Sequence, residues 1–241
     1  ELCIGQPDKP EQNDEIDASS LETRNPMNPR SFSAVGLLET PGYTPAAVAL
    51  DAMQKATSIE VLQAEINDFL GVIIKIGGEL AQVERAIEIG VEWANRLQGK
   101  PVSRVLSLPS EEISGVLLPG IEYNPLIQQN VVHLPTVEST SSGATSVTNS
   151  STSGNALGFI ETQGFTAVFQ AIDMACKAAN VEVIGKEKLG GGYVTVVIKG
   201  DVAAVHAAIE SGQQEVESLG KLIAAHVIPR PSESVLSLLP G

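Results

Sequence analysis

Apolar and polar positions along this chain change period in a fixed order, and the whole order occurs twice. Residues 34–40 form an apolar run of strand length. From Tyr43 the spacing becomes helical, with Tyr43, Ala46, Ala47, Leu50 and Met53 on one stripe. β-rich runs follow at 59–65 and 72–76. A stripe of Leu80, Val83, Ile87, Val91, Ala94 and Leu97 predicts a second helix, and residues 102–106 predict a closing strand. The second round lies 122 residues further on. Its first helix carries Phe165, Val168, Phe169, Ile172 and Cys176, and its middle strands fall at 181–187 and 194–198. Its second helix carries Val202, Val205, Ile209, Val216 and Leu219, ahead of a last strand at 224–228.

The rounds align without a gap from Val35 with Leu157 to Pro109 with Pro231, and about a third of the positions are identical. A period this long marks a domain, because solenoid units are shorter. Strand, helix, two strands, helix and strand make the split β-α-β arrangement of ferredoxin-like domains. The predicted fold class is therefore α+β: two tandem ferredoxin-like domains, each with two helices over one sheet face and the other face free to meet a neighbour. The first domain is expected over 33–112 and the second over 156–241. Residues 1–32, acidic and polar without periodicity, read as a disordered tail. Residues 113–155 read as an extension and a Ser/Thr/Gly-rich linker, whose last 20 or so residues give a root-mean-square reach of roughly 25 Å. Two copies per chain halve the number of chains a symmetric ring needs, which points to assembly.

Composition removes several classes. Hydrophobic residues make up 43% of the chain and aromatics only 4%, so the cores rest on Val, Ile, Leu and Ala. A net charge of −14 argues against a nucleic-acid partner, which needs a basic face. Two cysteines, Cys3 in the tail and Cys176 in a helical pattern, argue against a disulfide scaffold and for a reducing cytosol. Cys176 falls on the apolar stripe and reads as a small core residue, and Trp93 as a packing or interface residue. No apolar run approaches the roughly 18 residues of a membrane span, so no membrane partner is expected. His133, His206 and His226 share no metal-ligand spacing with one another or with cysteine. The glycines at 190–192 lack the Lys-Ser/Thr pair of a phosphate-binding loop. No nucleophile–base pair emerges, so no enzyme, catalytic residue, metal or cofactor is expected.

The second copy carries four short signatures in order: Ile160-Glu161-Thr162 with Gly164; Asp173 with Lys177-Ala178-Ala179-Asn180; Gly185, Glu187-Lys188, Gly190 and Gly192; and Ile228-Pro229-Arg230-Pro231. With these it resembles the shell domain of bacterial microcompartments, the BMC domain. The first copy resembles the same domain in diverged form. It keeps Leu38-Glu39-Thr40 with Gly42, and Asp51 with Lys55-Ala56. It reads Ile66-Asn67-Asp68-Phe69-Leu70 in place of the glycine loop and Leu106-Ser107-Leu108-Pro109 in place of the final signature.

The resemblance implies a structural shell protein. Single-domain relatives form flat hexamers with a central pore that tile into facets, so a tandem, non-permuted chain implies a homotrimer of pseudohexameric outline. Its partners would be hexameric BMC shell proteins, other shell components and encapsulated enzymes. Its place would be a carboxysome or metabolosome shell in the bacterial cytoplasm, with a carboxysome favoured. Lys188, Leu189, Gly190, Gly191 and Gly192 match the family's pore loop. Bare glycine amides attract anions weakly, so small anionic metabolites are the expected traffic. Read alone, the segment is a hairpin turn that needs glycine. If the loops of both copies converge, Ile66, Asn67, Asp68 and Phe69 line the same pore, where Asp68 offsets Lys188 and Phe69 narrows the opening. An iron–sulfur cluster of the kind some tandem relatives hold needs a loop cysteine, and neither loop has one. Lys55 and Lys177 match the family's inter-tile edge lysine, and Pro229, Arg230 and Pro231 its edge arginine segment. The other reading is a soluble regulatory protein that senses a small molecule between paired ferredoxin-like domains.

Overall fold

The computed structural model describes residues 32–67, 71–110, 113–124, 129–134, 155–214 and 216–240. The first copy runs β1 (Ala34–Pro41), α1 (Tyr43–Ala56), β2 (Glu60–Ile66), β3 (Gly71–Gly78), α2 (Leu80–Arg96) and β4 (Val102–Ser107). A connecting segment holds α3 (Ser114–Leu117), β5 (Tyr123–Asn124), β6 (Gln129–Asn130) and β7 (Val132–His133). The second copy runs β8 (Asn155–Gln163), α4 (Phe165–Ala178), β9 (Glu182–Gly190), β10 (Tyr193–Asp201), α5 (Val202–Gln214) and β11 (Lys221–Ile228), and α6 (Glu233–Ser237) follows. The β-α-β-β-α-β order read from periodicity is present in both copies. The expected tail up to residue 31 and the linker over 135–154 lie outside the described residues.

Both sheets are antiparallel, in the orders β4-β1-β3-β2-β7 and β11-β8-β10-β9. Their registers repeat at the sequence offset: Ala34 faces Gly78 where Ala156 faces Gly200, and Val35 faces Leu106 where Leu157 faces Ile228. Both second strands also bulge at the matching residue, Leu62 and Ile184. Gly36 and Gly158 let the second helix of each copy close on its sheet. A Cβ at Gly36 would meet Val83 and Ile87 at 2.8 and 2.9 Å, and one at Gly158 would meet Val205 and Ile209 at 2.7 and 3.0 Å.

The sheet face away from the helices is where the copies part company. In the first sheet this face holds Lys75, only 4% exposed, which donates to Gln63 at 2.8 Å and to Glu65 at 2.6 Å. Gln63 in turn donates to the Pro119 carbonyl at 2.7 Å, so the connecting segment covers this face. In the second sheet the same face meets α1 of the first copy. Leu157, Phe159, Leu189, Val197 and Ile228, with Val235 and Leu238 beyond them, join the core built around Leu50 and Met53. A separate core centred on Ile160, Val168, Val205 and Ile209 belongs to the second copy alone.

Three expectations need correction. Cys176 is exposed, not a core residue. Phe165 and Phe169, on the stripe read as apolar, are 43% and 52% exposed, because none of the described residues covers that side of α4. The second helix of the second copy ends at Gln214; Val216–Ser218 forms a separate 3-10 turn, with Val216 buried and Leu219 exposed.

Candidate functional site

The best-built site is the junction where the second copy closes over α1. Residue Gly42 precedes α1 at φ +90°, a conformation that favours glycine. It provides no side-chain cap, so the first amides of the helix need another acceptor. Glu161 of β8 supplies one: its carboxylate accepts from the Tyr43 amide and the Thr44 amide, each at 2.9 Å. A Cβ at position 42 would come within 3.2 Å of the Glu161 Oε2. Glu161 is fully buried, and burial raises its pKa against the opposing pull of the Thr44 and Tyr43 amides. The Thr44 and Thr195 hydroxyls, buried beside it without closed hydrogen bonds, add weaker favourable dipoles.

Tyr43 fixes the other side of the junction. Its ring lies 6.4 Å from that of Phe159, and its hydroxyl donates to the Leu238 carbonyl. Burial and then the charges of Glu187 and Glu161 push its pKa well above the ordinary phenol value. Further out, the Ser232 amide donates to Asp51 at 2.8 Å and the Ser234 amide to Gln54 at 3.4 Å. Trp93 meets His226 edge to face at 6.4 Å, and the Arg96 guanidinium stacks 4.6 Å over Trp93. Trp93 is thus an interface residue within one chain. On the side facing the connecting segment, Gln129 donates to Glu187 and, at 2.9 Å, to the Lys188 carbonyl. Burial pushes the Glu187 pKa up to about 7, against the pull of Gln129 and Lys188.

The residues expected at a pore are placed as follows. Gly190, Gly191 and Gly192 carry φ of 85°, 54° and 82° at the turn from β9 into β10, a conformation that requires glycine. Leu189 is buried and Lys188 half-buried. In the first copy Ile66 is buried at the end of β2, and the Asn67 side chain holds Glu39 and the Gly71 amide. Asp68 and Phe69 lie outside the described residues. The expected edge residues divide between the copies. Lys55, paired with Asp51 at 2.6 Å, lines one groove of about 550 Å3 with Trp93, His226 and Pro229. The structure therefore brings Lys55, the lysine expected at the first copy's edge, to Pro229, the start of the segment expected at the second copy's edge. Lys177 pairs with Asp173 at 2.5 Å on α4, and Arg230 is exposed while Pro231 is half-buried.

Sequence reasoning missed Glu161, Tyr43 and Gln129 as interface residues. The signal for Glu161 was present: an acid recurs at the same place in both strands, as Glu39 and Glu161, each after an apolar residue and before a threonine. Among the described residues no group of three or more His, Cys, Asp or Glu side chains is placed to hold a metal ion. Among them, too, no helix is long and apolar enough to cross a membrane.

An antiparallel sheet repeated at the same register and packed against its own duplicate defines a tandem two-domain α+β protein. The family model described as the BMC domain matches residues 34–110 and again 156–231. The chain belongs to the BMC-domain family of microcompartment shell proteins. It is 30% identical over 214 residues to the carboxysome assembly protein CcmO of Synechococcus elongatus, across 88% of this chain and 70% of that one. It is 48% identical over 87 residues to the carboxysome shell protein CsoS1 of Prochlorococcus marinus, across 36% of this chain and 84% of that one. It is also 48% identical over 85 residues to the bacterial microcompartment shell protein PduA of Citrobacter freundii, across 35% of this chain and 91% of that one.

Proposed function

We propose that this structural shell protein works as a three-chain tile, with six BMC domains closing around one axis and the finished plate docking edge to edge with hexameric shell proteins. The observation that supports it most is the unequal cover of two equivalent helices. Helix α1 is buried by the sheet face and C-terminal segment of the second copy. Helix α4 presents Phe165 and Phe169 to solvent. Part of what covers α1 has an exposed counterpart in the first copy, although Val35 and Lys75, which stand where Leu157 and Val197 do, are buried. Glu39 stands where Glu161 does, Ser110 where Ser232 does, and Ile113 and Val116 where Val235 and Leu238 do; Ile113 and Val116 are 38% and 84% exposed. Placed on α4 of a second chain, Glu39 meets the Phe165 and Thr166 amides and Ser110 meets Asp173. Three such contacts alternating with three internal junctions close a ring.

The loops at 66–69 and 188–192 would then face the common axis, where glycine amides favour small anions in transit. Likeness to a carboxysome assembly protein over 88% of the chain supports a carboxysome as the compartment. Co-expression with a single-domain hexameric shell protein tests the reading. Mixed sheets or shells that contain both proteins are expected; sheets that consistently exclude this chain would overturn it.

A further inference from the structure

The same acid stands at the same place in both copies, and only one of the two has its cation. Glu65 of β2 and Glu187 of β9 are counterparts. In the first sheet the Lys75 ammonium donates to Glu65 at 2.6 Å and to Gln63 at 2.8 Å. In the second sheet Val197 stands where Lys75 does, and Gly185 where Gln63 does. Gly185 and Val197 are register partners just as Gln63 and Lys75 are, so the backbone frame is kept while the polar side chains are gone. Glu187 is only 3% exposed, and among the described residues no ion pair holds it.

Space takes the place of the lost side chains. A cleft of about 760 Å3 runs beside β9, lined by Gly185 and Glu187 and, on the facing wall, by Asn130 and His133. That volume suits a small metabolite. Lys186 and Lys188 also border it, but they stand opposite Val196 and Val194 in register, so their side chains leave on the helix side, away from Glu187. Gln129 donates to one oxygen of the Glu187 carboxylate. A carboxylate has about four acceptor sites, and a neutral amide is a weaker partner for it than a cation. Burial pushes the Glu187 pKa up to about 7 against the pull of Gln129 and Lys188, so the acid holds a proton where no cation is supplied.

His133 stands across from it. Strand β7 sets this residue opposite Ala64, on the side of the first sheet that packs against α1. Its Nε2 is buried without a hydrogen-bond partner, and burial lowers its pKa. A neutral imidazole with its proton on Nδ1 offers Nε2 as an acceptor, and a buried acceptor left unpartnered is costly. A carboxylate on one wall and a bare ring nitrogen on the other call for a positively charged donor.

We propose that this cleft binds a small metabolite through a primary ammonium group, which takes the part of the Lys75 ammonium against Glu187 and donates to the imidazole of His133. The site lies within one chain and uses none of the residues expected at the pore or the tile edge, so it is independent of the three-chain tile.

The test titrates the full chain with butylammonium chloride at constant ionic strength, with sodium chloride and tetramethylammonium chloride as controls. It follows the thermal midpoint and the imidazole signals of 15N-labelled histidine. The expected result is a saturable rise in midpoint with butylammonium alone. One histidine signal should shift with it, identified as His133 because it is missing in His133→Gln. In Glu187→Gln, which keeps the shape and removes the charge, butylammonium affinity should fall at least about tenfold, with circular dichroism showing an unchanged fold. An equal rise with tetramethylammonium, which has no N–H to donate, would reduce the effect to general attraction by a chain of net charge −14 and overturn the proposal. A His133 signal that stays still at saturation, or unchanged affinity in Glu187→Gln, would overturn it as well.

Discussion

Helices α1 and α4 are the same element of one repeat, yet they live in opposite surroundings. Tyr43 opens α1 at 3% exposure, while its counterpart Phe165 opens α4 at 43%. Both begin after a glycine at positive φ with no local cap. Only α1 receives a carboxylate, from Glu161, while the counterpart Glu39 is exposed and held by Asn67. The difference comes from position in the chain rather than from local sequence. One helix has its neighbour covalently attached, and in the proposed ring the other would take its neighbour from a second chain. In the proposed ring the large apolar residues left exposed on α4 and at Ile113 and Val116 form an interface rather than a poor core.

Substitutions at matched positions sharpen this contrast. Tyr43→Ala removes a buried ring and its hydroxyl bond and should cost about 3–5 kcal/mol of unfolding free energy. Phe165→Ala should cost the isolated chain under about 1 kcal/mol, its effect falling on association. Urea unfolding of dilute protein followed by circular dichroism compares the two, and equal losses would dissolve the distinction.

The caps give the next effect. Glu161→Ala strands the buried Tyr43 and Thr44 amides and should cost about 2 kcal/mol. Glu39→Ala should leave the lone chain within about 0.5 kcal/mol of the parent while weakening chain-to-chain association. Sedimentation over a concentration series, beside the same unfolding curves, reads both quantities.

A pH effect of up to about 3 kcal/mol should arise at Glu187. Its folded pKa of about 7 lies above the ordinary glutamate value, so the folded state holds the extra proton between the two. The stability this contributes is present below the ordinary value and is lost as pH rises through about 7. Thermal midpoints should therefore fall between mildly acidic and mildly alkaline buffer, and Glu187→Gln should flatten that slope.

The smallest change in stability is expected at the edge. Lys177→Ala combined with Arg230→Ala should move unfolding by less than about 0.5 kcal/mol. Particle mass should be unchanged, and mixed sheets with a hexameric shell protein should be lost.

The duplication made the fold legible. Alternating and helical periods are local properties, and they located every major element of both copies. They failed where a neighbour decides exposure. Cys176, Phe165 and Phe169 share an apolar stripe that looks like core, because an interface face and a core face have the same pattern. They also gave no warning of β7, whose two residues, Val132 and His133, pair with Glu65 and Ala64 from outside the aligned repeat. The short motifs of the second copy were enough to read its family. The capping role of Glu161 was not, since it depends on a helix 118 residues away in sequence.

The mass of the purified full chain in solution, set beside that of Phe165→Glu with Phe169→Glu, tests the central claim most directly. The account predicts three chain masses for the parent and a folded single chain for the double variant, whose circular dichroism is unchanged. A parent that stays a single chain at high concentration, or a double variant that keeps the parent's mass, would contradict it.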